Sequence, residues 1–205
     1  MRDAVITAAV RSPIGKRNGG LAGVHAVQLS ALILNDLVSR AGIDPAVVDD
    51  VHWGNVISLG QQSGNVGRMA VLAAGWPEAV PGFTIDRQCG SSQQAISTAA
   101  ATVVSGQADV IIAGGVEMMS AVPMGAAGAV PGVGEMGGPA VERYRDALRA
   151  PGFNGRFNQG AGAELIASEY GFSRAQLDEY SVESHELAAA AQDQGFFADE
   201  ITPVK

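Results

Sequence analysis

One stretch decides the fold: Phe83-Thr84-Ile85-Asp86-Arg87-Gln88-Cys89-Gly90-Ser91-Ser92. Its residues pass from a strand-forming pattern to the start of a helix. The first residues are apolar or β-branched and predict a short strand over residues 83–86. An Ala-rich helix opens after Gly90, and we expect it to end at Gly106. The stretch therefore predicts a strand, a turn and a helix, with Cys89 where the helix begins.

Elements of the same two kinds alternate around this unit. Apolar and β-branched runs predict strands at residues 3–10, 47–57 and 109–113, the last being a continuous apolar run typical of a strand buried on both faces. Helical spacing predicts helices at residues 27–41, ended by Gly42, and at residues 65–74. Strands alternating with helices predict an α/β fold with a largely parallel sheet and right-handed crossovers.

The sequence changes texture after Ser120. Residues 121–139 are rich in Gly, Ala and Pro without a period, and they predict a loop that leaves the core. Helical patterning returns at residues 163–170 and 173–192, where Ser173 is the expected N-cap. Residues 201–204 resemble the start of a further strand. We expect two regions, 1–120 and 121–205, and a chain that stops on an unpaired strand edge.

Composition limits the classes of partner. The net charge of −8 argues against nucleic-acid or anionic-membrane binding, which needs clustered positive charge. The N-terminus lacks a signal sequence and no apolar run is long enough to span a membrane, so we expect a cytoplasmic protein. One cysteine excludes an internal disulfide and a multi-cysteine metal site. A phosphate-bearing ligand remains open because four arginines cluster, although a solvated helix face is the commoner reading: Arg143, Arg145, Arg149 and Arg156.

The lone cysteine, Cys89, is the strongest candidate for a reactive residue in the sequence. Unpaired backbone N–H groups at a helix start favour a thiolate over a thiol, and they also bind a developing oxyanion. The N–H of Cys89 itself is a candidate oxyanion donor. Gly90 permits close approach of a ligand, and Ser91 and Ser92 can hydrogen-bond in the first turn. The alternative is an inert cysteine packed among small residues.

Four ordered motifs resemble those of the thiolase family. The segment from Asp86 to Ala95, Asp-Arg-Gln-Cys-Gly-Ser-Ser-Gln-Gln-Ala, resembles the thiolase nucleophile segment. Arg11-Ser12-Pro13-Ile14-Gly15-Lys16 is similar to the N-terminal loop, and Gly114-Gly115-Val116-Glu117-Met118-Met119-Ser120 to the Gly-Gly-x-Glu-x-Met-Ser turn. Gly64-Asn65-Val66-Gly67-Arg68 resembles a segment near the subunit interface. The resemblance spans the chain in order.

The resemblance implies a layered αβαβα fold made of two similar halves. This chain would supply the N-terminal βαβαβ half, residues 1–120, and most of an inserted loop domain, residues 121–205, without the C-terminal half. Thiolases are usually dimers or tetramers, which makes five residues interface candidates: Asn65, Arg68, Thr84, Ile85 and Asp86. The inserted domain typically covers coenzyme A, which makes five others ligand candidates: Arg156, Phe157, Asn158, Gln159 and Gly160.

The implied reaction is acyl transfer between coenzyme A and a cysteine thioester. The Cys89 thiolate would attack the 3-keto carbon of a 3-ketoacyl-CoA, acetyl-CoA would leave, and coenzyme A would take the acyl group, or the reverse condensation would run. Coenzyme A and acyl-CoA are substrates, and no cofactor or metal is expected. Asn158-Gln159-Gly160 stands where many biosynthetic members carry His-Met-Gly, which favours a degradative enzyme similar to actinobacterial β-oxidation thiolases, some acting on sterols.

The remaining thiolase machinery lies in the C-terminal half of the family. Its base is a His, its proton donor is a second Cys, and an Asn holds a water at one oxyanion site. The histidines present, His25, His52 and His185, are more typical of structural or solvated positions. We therefore expect no appreciable turnover by the isolated chain, which would be either a truncated or proteolysed fragment or one subunit whose partner chain supplies the other half.

Three other readings compete with a thiolase. A ketosynthase-type condensing enzyme shares the fold and the cysteine, but the Gly-Gly-Val-Glu-Met-Met-Ser turn favours thiolase. A cysteine hydrolase with a nucleophile elbow would need a small residue where Arg87 stands. A non-catalytic assembly subunit that pairs with a C-terminal-half protein is the non-enzyme alternative.

Overall fold

The computed structural model describes residues 2–130 and 137–205, which form two compact units. The first unit comprises Met1–Ala129 and Asp199–Lys205, and the second comprises Val130–Ala198. The expected functional boundary after residue 120 stays a prediction. The last residues of the chain belong to the first unit, beside the sheet and its helices.

A parallel sheet forms the centre of the first unit, as the alternation of elements predicts. Its strands are β1 (Asp50–Gly54), β2 (Phe83–Ile85) and β3 (Ile111–Gly115), in the spatial order β2-β1-β3. Both strand pairs are parallel, and Gly54 lies opposite Ile85 on one side and Gly115 on the other. The carboxyl ends of all three strands therefore meet at one edge of the sheet.

Three helices belong to the first unit: α1 (Ala26–Ala41), α2 (Val66–Ala73) and α3 (Ser91–Ser105). The predicted C-caps of α1 and α3 are confirmed, because Gly42 and Gly106 adopt left-handed conformations with φ of 66° and 77°. Short 3₁₀ helices occupy three further segments: Pro45–Val47, Gly60–Gln62 and Ala126–Ala129.

Helices cover both faces of the sheet. Successive side chains of β1 point to opposite faces, so Trp53 and Gly54 mark the two sides. Trp53 donates its indole N–H to Ser30 Oγ of α1 at 3.1 Å and packs in the core formed with α1 and α2. Gly54 contacts the first turn of α3 on the other face. The core between α1, α2 and the sheet includes buried Leu34, Val51, Val66, Val71 and Ile112.

The second unit is helical where it is described. It contains α4 (Gly138–Arg143), a 3₁₀ helix at Ala147–Arg149, α5 (Gln159–Glu169) and α6 (Arg174–Asp193). The predicted N-cap of α6 is confirmed, because Ser173 and Gln176 form a reciprocal capping box. The expected loop over residues 121–139 lies partly outside the described residues, and the prediction is wrong where Ala126–Ala129 and the start of α4 are helical.

Two strand predictions are wrong. Residues 3–10 form no strand, and the side chains of Val5 and Ile6 are 77% and 80% exposed. A strand needs a neighbour to accept its backbone hydrogen bonds, and the bridge nearest to residues 3–10 joins Arg11, just after them, to Ile201. Residues 201–204 likewise contribute that bridge alone, with Arg11 N–H donating to Glu200 O at 2.8 Å.

Two other strands exist but differ from their predicted bounds and burial. β1 is shorter than residues 47–57, because Pro45–Val47 closes into a 3₁₀ turn capped by Asp44. β3 begins two residues later than predicted, and only Ile112 of this strand is fully buried. The prediction of burial on both faces is therefore wrong for the rest of β3, which has β1 as its only neighbouring strand among residues 2–130 and 137–205.

Asp49 joins the entries of β1 and β3. Its Oδ2 accepts hydrogen bonds from the backbone N–H groups of Asp109 at 2.7 Å and Val110 at 2.9 Å. These two donors, Val110 first, lower the pKa of Asp49 below its ordinary value because they stabilise the carboxylate. The carboxylate thus fixes the register in which β3 starts beside β1.

The lowered pKa of Asp49 predicts a pH-dependent contribution to stability. A carboxyl whose pKa is lower in the folded state stabilises the fold above its unfolded pKa, near 4, and loses that contribution as pH falls through the folded pKa. In urea unfolding, the native chain should be more stable than Asp49→Asn at neutral pH, and the difference should shrink under acid. The exposed Asp3→Asn is the matched control, and a D49N difference that stays constant into strong acid contradicts the assignment.

Candidate functional site

Cys89 lies in the turn that connects β2 to α3. Its side chain is exposed and its thiol is free. The helix proper begins at Ser91, with Gly90 as N-cap, so Cys89 precedes the first helical residue by two positions. The predicted strand, turn and helix are confirmed, with the cysteine slightly earlier than the helix start itself.

Hydrogen bonds between residues close in sequence stabilise this turn. Gly90 N–H donates to Arg87 O at 3.1 Å, and Ser91 N–H donates to Gln88 O at 3.0 Å. Gln88 N–H donates to Asp86 Oδ1 at 2.7 Å. These hydrogen bonds hold Gln88 in a left-handed conformation with φ of 51°. A residue with a side chain adopts that conformation only where its surroundings enforce it.

Two glycines form the platform on which α3 begins. A Cβ on Gly54 of β1 would lie 2.5 Å from Ser92 N and 2.7 Å from Ser91 C, which is closer than real Cβ contacts allow. A Cβ on Gly115 of β3 would collide with Ser92 Oγ and lie 2.5 Å from Gly54 O. Only glycine at both positions lets the first turn of α3 approach the strands this closely.

A carboxylate hub ties the loops that follow β1 and β3. Glu117 accepts hydrogen bonds from Val56 N–H at 2.9 Å and from Gln62 Nε2 at 2.8 Å. Gln62 is fully buried, and its Oε1 accepts from Met118 N–H at 2.6 Å. Asn55 Nδ2 donates to Val116 O at 3.0 Å. The hub fixes both loops at the same sheet edge as the cysteine turn.

A shallow groove lies beside the cysteine turn. It has a volume of about 310 Å³ and is lined by Arg87, Gly90, Gln93, Gln94 and Ser97. The guanidinium of Arg87 donates to Gln94 Oε1 across it. A second groove of about 580 Å³ is bordered by α1 and α2 and includes His25, but not Cys89.

Three of the predicted interface residues, Asn65, Arg68 and Thr84, form one network between α2 and β2. Asn65 caps α2 through Oδ1, which accepts from Arg68 N–H at 3.0 Å and from Thr84 Oγ1 at 3.1 Å. Ile85 O accepts from Asn55 N–H at 3.1 Å, while Asp86 belongs to the cysteine turn. The network shows a structural role for these residues, and their role between subunits stays a prediction.

The predicted coenzyme A candidates lie in the second unit. Asn158 is the N-cap of α5 and accepts from Ala161 N–H at 3.2 Å, while Gln159 and Gly160 form the first residues of that helix. Phe157 is 54% exposed and packs edge-on against Tyr144, and Arg156 is exposed. These contacts assign structure to the segment, and ligand binding by it stays a prediction.

The histidines occupy structural or exposed positions. His25 caps α1 by accepting Val27 N–H at 3.2 Å on Nδ1. His52 is buried in β1 with its ring 4.4 Å from that of Phe83, and His185 is exposed on α6. Across residues 2–130 and 137–205 no group of three His, Cys, Asp or Glu side chains could hold a metal ion, and no helix is long and apolar enough to cross a membrane.

The family profile described as the N-terminal domain of thiolase matches residues 4–205. The chain belongs to the thiolase family. Two further kinds of similarity, to curated sequences and to a solved structure, agree with this membership and with the thiolase-like α/β fold.

Two similar sequences and one similar structure carry the names of thiolases or of an acetyltransferase. The chain is 47% identical to the steroid 3-ketoacyl-CoA thiolase FadA6 of Mycobacterium tuberculosis, with 100% of the chain and 50% of that protein covered. It is 40% identical to the β-ketoadipyl-CoA thiolase of Pseudomonas putida, with 100% and 52% covered. The crystal structure of the Bacillus anthracis acetyl-CoA acetyltransferase superposes with a TM-score of 0.80 at 36% identity, covering 100% of this chain and 52% of that one.

The chain spans about half the length of the curated relatives that it matches. The resemblance places the base His, the second Cys and the Asn-held water of thiolases in the half that these 205 residues do not span. The described residues supply an exposed free thiol at Cys89. Its role as a nucleophile and the role of its N–H as an oxyanion donor stay predictions.

The roles of Gly54, Gly115, Glu117 and Gln62 were not predicted from the sequence. Gly115 and Glu117 belong to the quoted Gly-Gly-x-Glu motif, but their contacts join residues far apart in sequence. The available signal was positional: glycine ends two strands that prove to be neighbours, and a charged residue follows closely after a strand.

The glycine platform predicts a steric effect of one methyl group. Gly115→Ala should push the first turn of α3 off the strands, lowering the unfolding free energy by about 1–3 kcal/mol, as overpacking does. Urea unfolding measures this loss. Gly128→Ala is the matched control, because a Cβ there meets nothing within 4 Å. Equal stability of the two variants contradicts the platform.

Proposed function

We propose that this chain carries the acyl-accepting half of a 3-ketoacyl-CoA thiolase, with Cys89 as the nucleophile. The observation that carries the proposal is the exposed thiol in a turn whose backbone is closed by hydrogen bonds and seated on two glycines. Membership of the thiolase family supports it.

The geometry supports acyl transfer through two features. The sulfur is exposed to solvent, so a thioester can reach it. The backbone N–H of Cys89 donates to no acceptor among the described residues, which leaves it available to an oxyanion. A thiol packed inertly in the core, the alternative that the sequence left open, is excluded by the exposure of Cys89.

The proposed reaction proceeds in two acyl transfers. The Cys89 thiolate adds to the 3-keto carbon, and that carbonyl oxygen becomes an oxyanion bound by the Cys89 N–H. The bond between C2 and C3 then breaks. The fragment that contains C2 takes the electron pair and one proton and leaves as acetyl-CoA. Coenzyme A attacks the resulting thioester and regenerates the cysteine. Proton transfers in both steps need the acid and base that the family carries outside these 205 residues.

The proposed substrates are acyl-CoA and coenzyme A, bound without a resident cofactor or metal. A degradative enzyme acting on a bulky 3-ketoacyl-CoA is favoured over a biosynthetic one. Asn158-Gln159-Gly160 departs from the biosynthetic pattern, and the mycobacterial relative, 47% identical, is named a steroid thiolase. Arg156 and Phe157 remain candidates for the coenzyme A arm.

The proposal includes association with further protein. Two copies would meet near the α2–β2 network of Asn65, Arg68 and Thr84, extended by Ile85 and Asp86. The complementary acid and base would come from the C-terminal half, whether on the same polypeptide or on a partner chain. The 205-residue chain alone would then perform only the first acyl transfer, without sustained turnover.

The first acyl transfer is testable on the chain alone. Incubation with acetyl-CoA should place an acetyl group on Cys89, located by peptide mass spectrometry and released by hydroxylamine, because the exposed sulfur attacks the thioester carbonyl. Cys89→Ser should remain unmodified. A native chain that is alkylated on Cys89 by iodoacetamide yet takes no acetyl group from acetyl-CoA contradicts the proposed function.

A further inference from the structure

The hydroxyl of Ser91 bonds to the backbone of the cysteine turn on both sides of the Arg87–Gln88 peptide. Ser91 is only 5% exposed, and its Oγ makes two hydrogen bonds. It accepts from Arg87 N–H at 2.9 Å and donates to Gln88 O at 2.6 Å. The backbone N–H of Ser91 donates to the same Gln88 O at 3.0 Å. The carbonyl before Cys89 is therefore bound twice by one residue.

The two hydrogen bonds from Ser91 to Gln88 O determine where the Cys89 N–H points. The peptide between Gln88 and Cys89 is planar and trans, so its carbonyl oxygen and its N–H point in opposite directions. Ser91 draws the carbonyl toward the start of α3, and the N–H of Cys89 must then point away from that helix. This orientation agrees with the absence of any acceptor for that N–H among the described residues.

The other side of Gln88 is fixed as well. Its N–H donates to Asp86 Oδ1 at 2.7 Å, so both peptide groups that flank Gln88 are held by side chains. A left-handed conformation is unfavourable at a residue other than glycine, and it persists only when such contacts enforce it. Without the Ser91 hydroxyl, the Gln88–Cys89 peptide has a lower barrier to rotating toward an ordinary conformation.

We propose that Ser91 is a positioning residue that aims the backbone N–H of Cys89 at the oxyanion of the acyl-transfer step. The inference rests on the proposed function of Cys89. The sulfur adds to the acyl carbonyl carbon, the π electrons move to oxygen, and the N–H of Cys89 stabilises that charge. On collapse, the bond to the leaving group breaks and the leaving group takes the electron pair. Ser91 touches neither the acyl group nor the sulfur in this step.

Two reagents separate this role from a general effect on the thiol. Acylation by p-nitrophenyl acetate passes through an oxyanion, whereas alkylation by iodoacetamide displaces iodide without one. Ser91→Ala should lower the rate of Cys89 acylation by about tenfold or more, a smaller loss than deleting an oxyanion donor, while leaving alkylation within about twofold. The Cys89→Ser background is subtracted from each rate. Ser105→Ala, an exposed serine at the far end of the same helix, should change neither rate.

The outcomes separate this inference from the proposed function. Equal acylation by native and Ser91→Ala chains, or a parallel fall of acylation and alkylation, overturns the positioning role. The p-nitrophenyl ester needs no coenzyme A site, so the comparison holds even if acetyl-CoA fails to acetylate the native chain, a result that would count against the proposed function alone.

A measurement on the native chain covers the case in which Ser91→Ala fails to fold. Amide hydrogen exchange should be fast at Cys89, whose N–H is unbonded, and slower at Ser91, whose N–H is bonded to Gln88 O. Protection of the Cys89 amide equal to that of Ser91 overturns the inference, because the N–H would then be engaged within the protein.

Discussion

The close contact between the first turn of α3 and the backbone of two strands organises the site. Gly54 and Gly115 are neighbours in the sheet, and neither leaves room for a side chain under Ser91 and Ser92. The helix start is therefore fixed against the strands themselves, without intervening side chains that could adopt other rotamers. Cys89 lies two residues before Ser91, so its position is fixed with the start of the helix, and its side chain remains exposed.

Because the sheet is parallel, the contacts that hold the site come from segments far apart in sequence. The loops after β1, β2 and β3 leave the same edge, and buried Gln62 with Glu117 joins the first loop to the third. The loop after β2 carries the cysteine and is stabilised by hydrogen bonds within the loop. A rigid edge around one exposed thiol is the arrangement that acyl transfer needs, since it holds the oxyanion donor before charge develops.

Local features of the fold could be predicted from the sequence, and non-local ones could not. Gly42, Gly106 and Ser173 were predicted to end or begin helices because a cap depends on its own few residues. The strand expected at residues 3–10 has the right composition, but its ladder depends on a neighbour that the described residues do not provide. The turn that carries Cys89 between a strand and a helix was predicted from the sequence, and the chemistry of that thiol stays a prediction. The left-handed Gln88 was not predicted, because glutamine carries no preference for that conformation.

In the proposed reaction, the turn presents the sulfur and the backbone N–H of Cys89 to the same acyl group. A crystal structure of the chain acetylated on Cys89 tests it most directly. We expect the thioester carbonyl oxygen to accept a hydrogen bond from the Cys89 N–H, with the nitrogen and oxygen about 2.7–3.2 Å apart. A thioester oxygen turned away from that N–H, with the N–H bonded to another group of the protein, would contradict it.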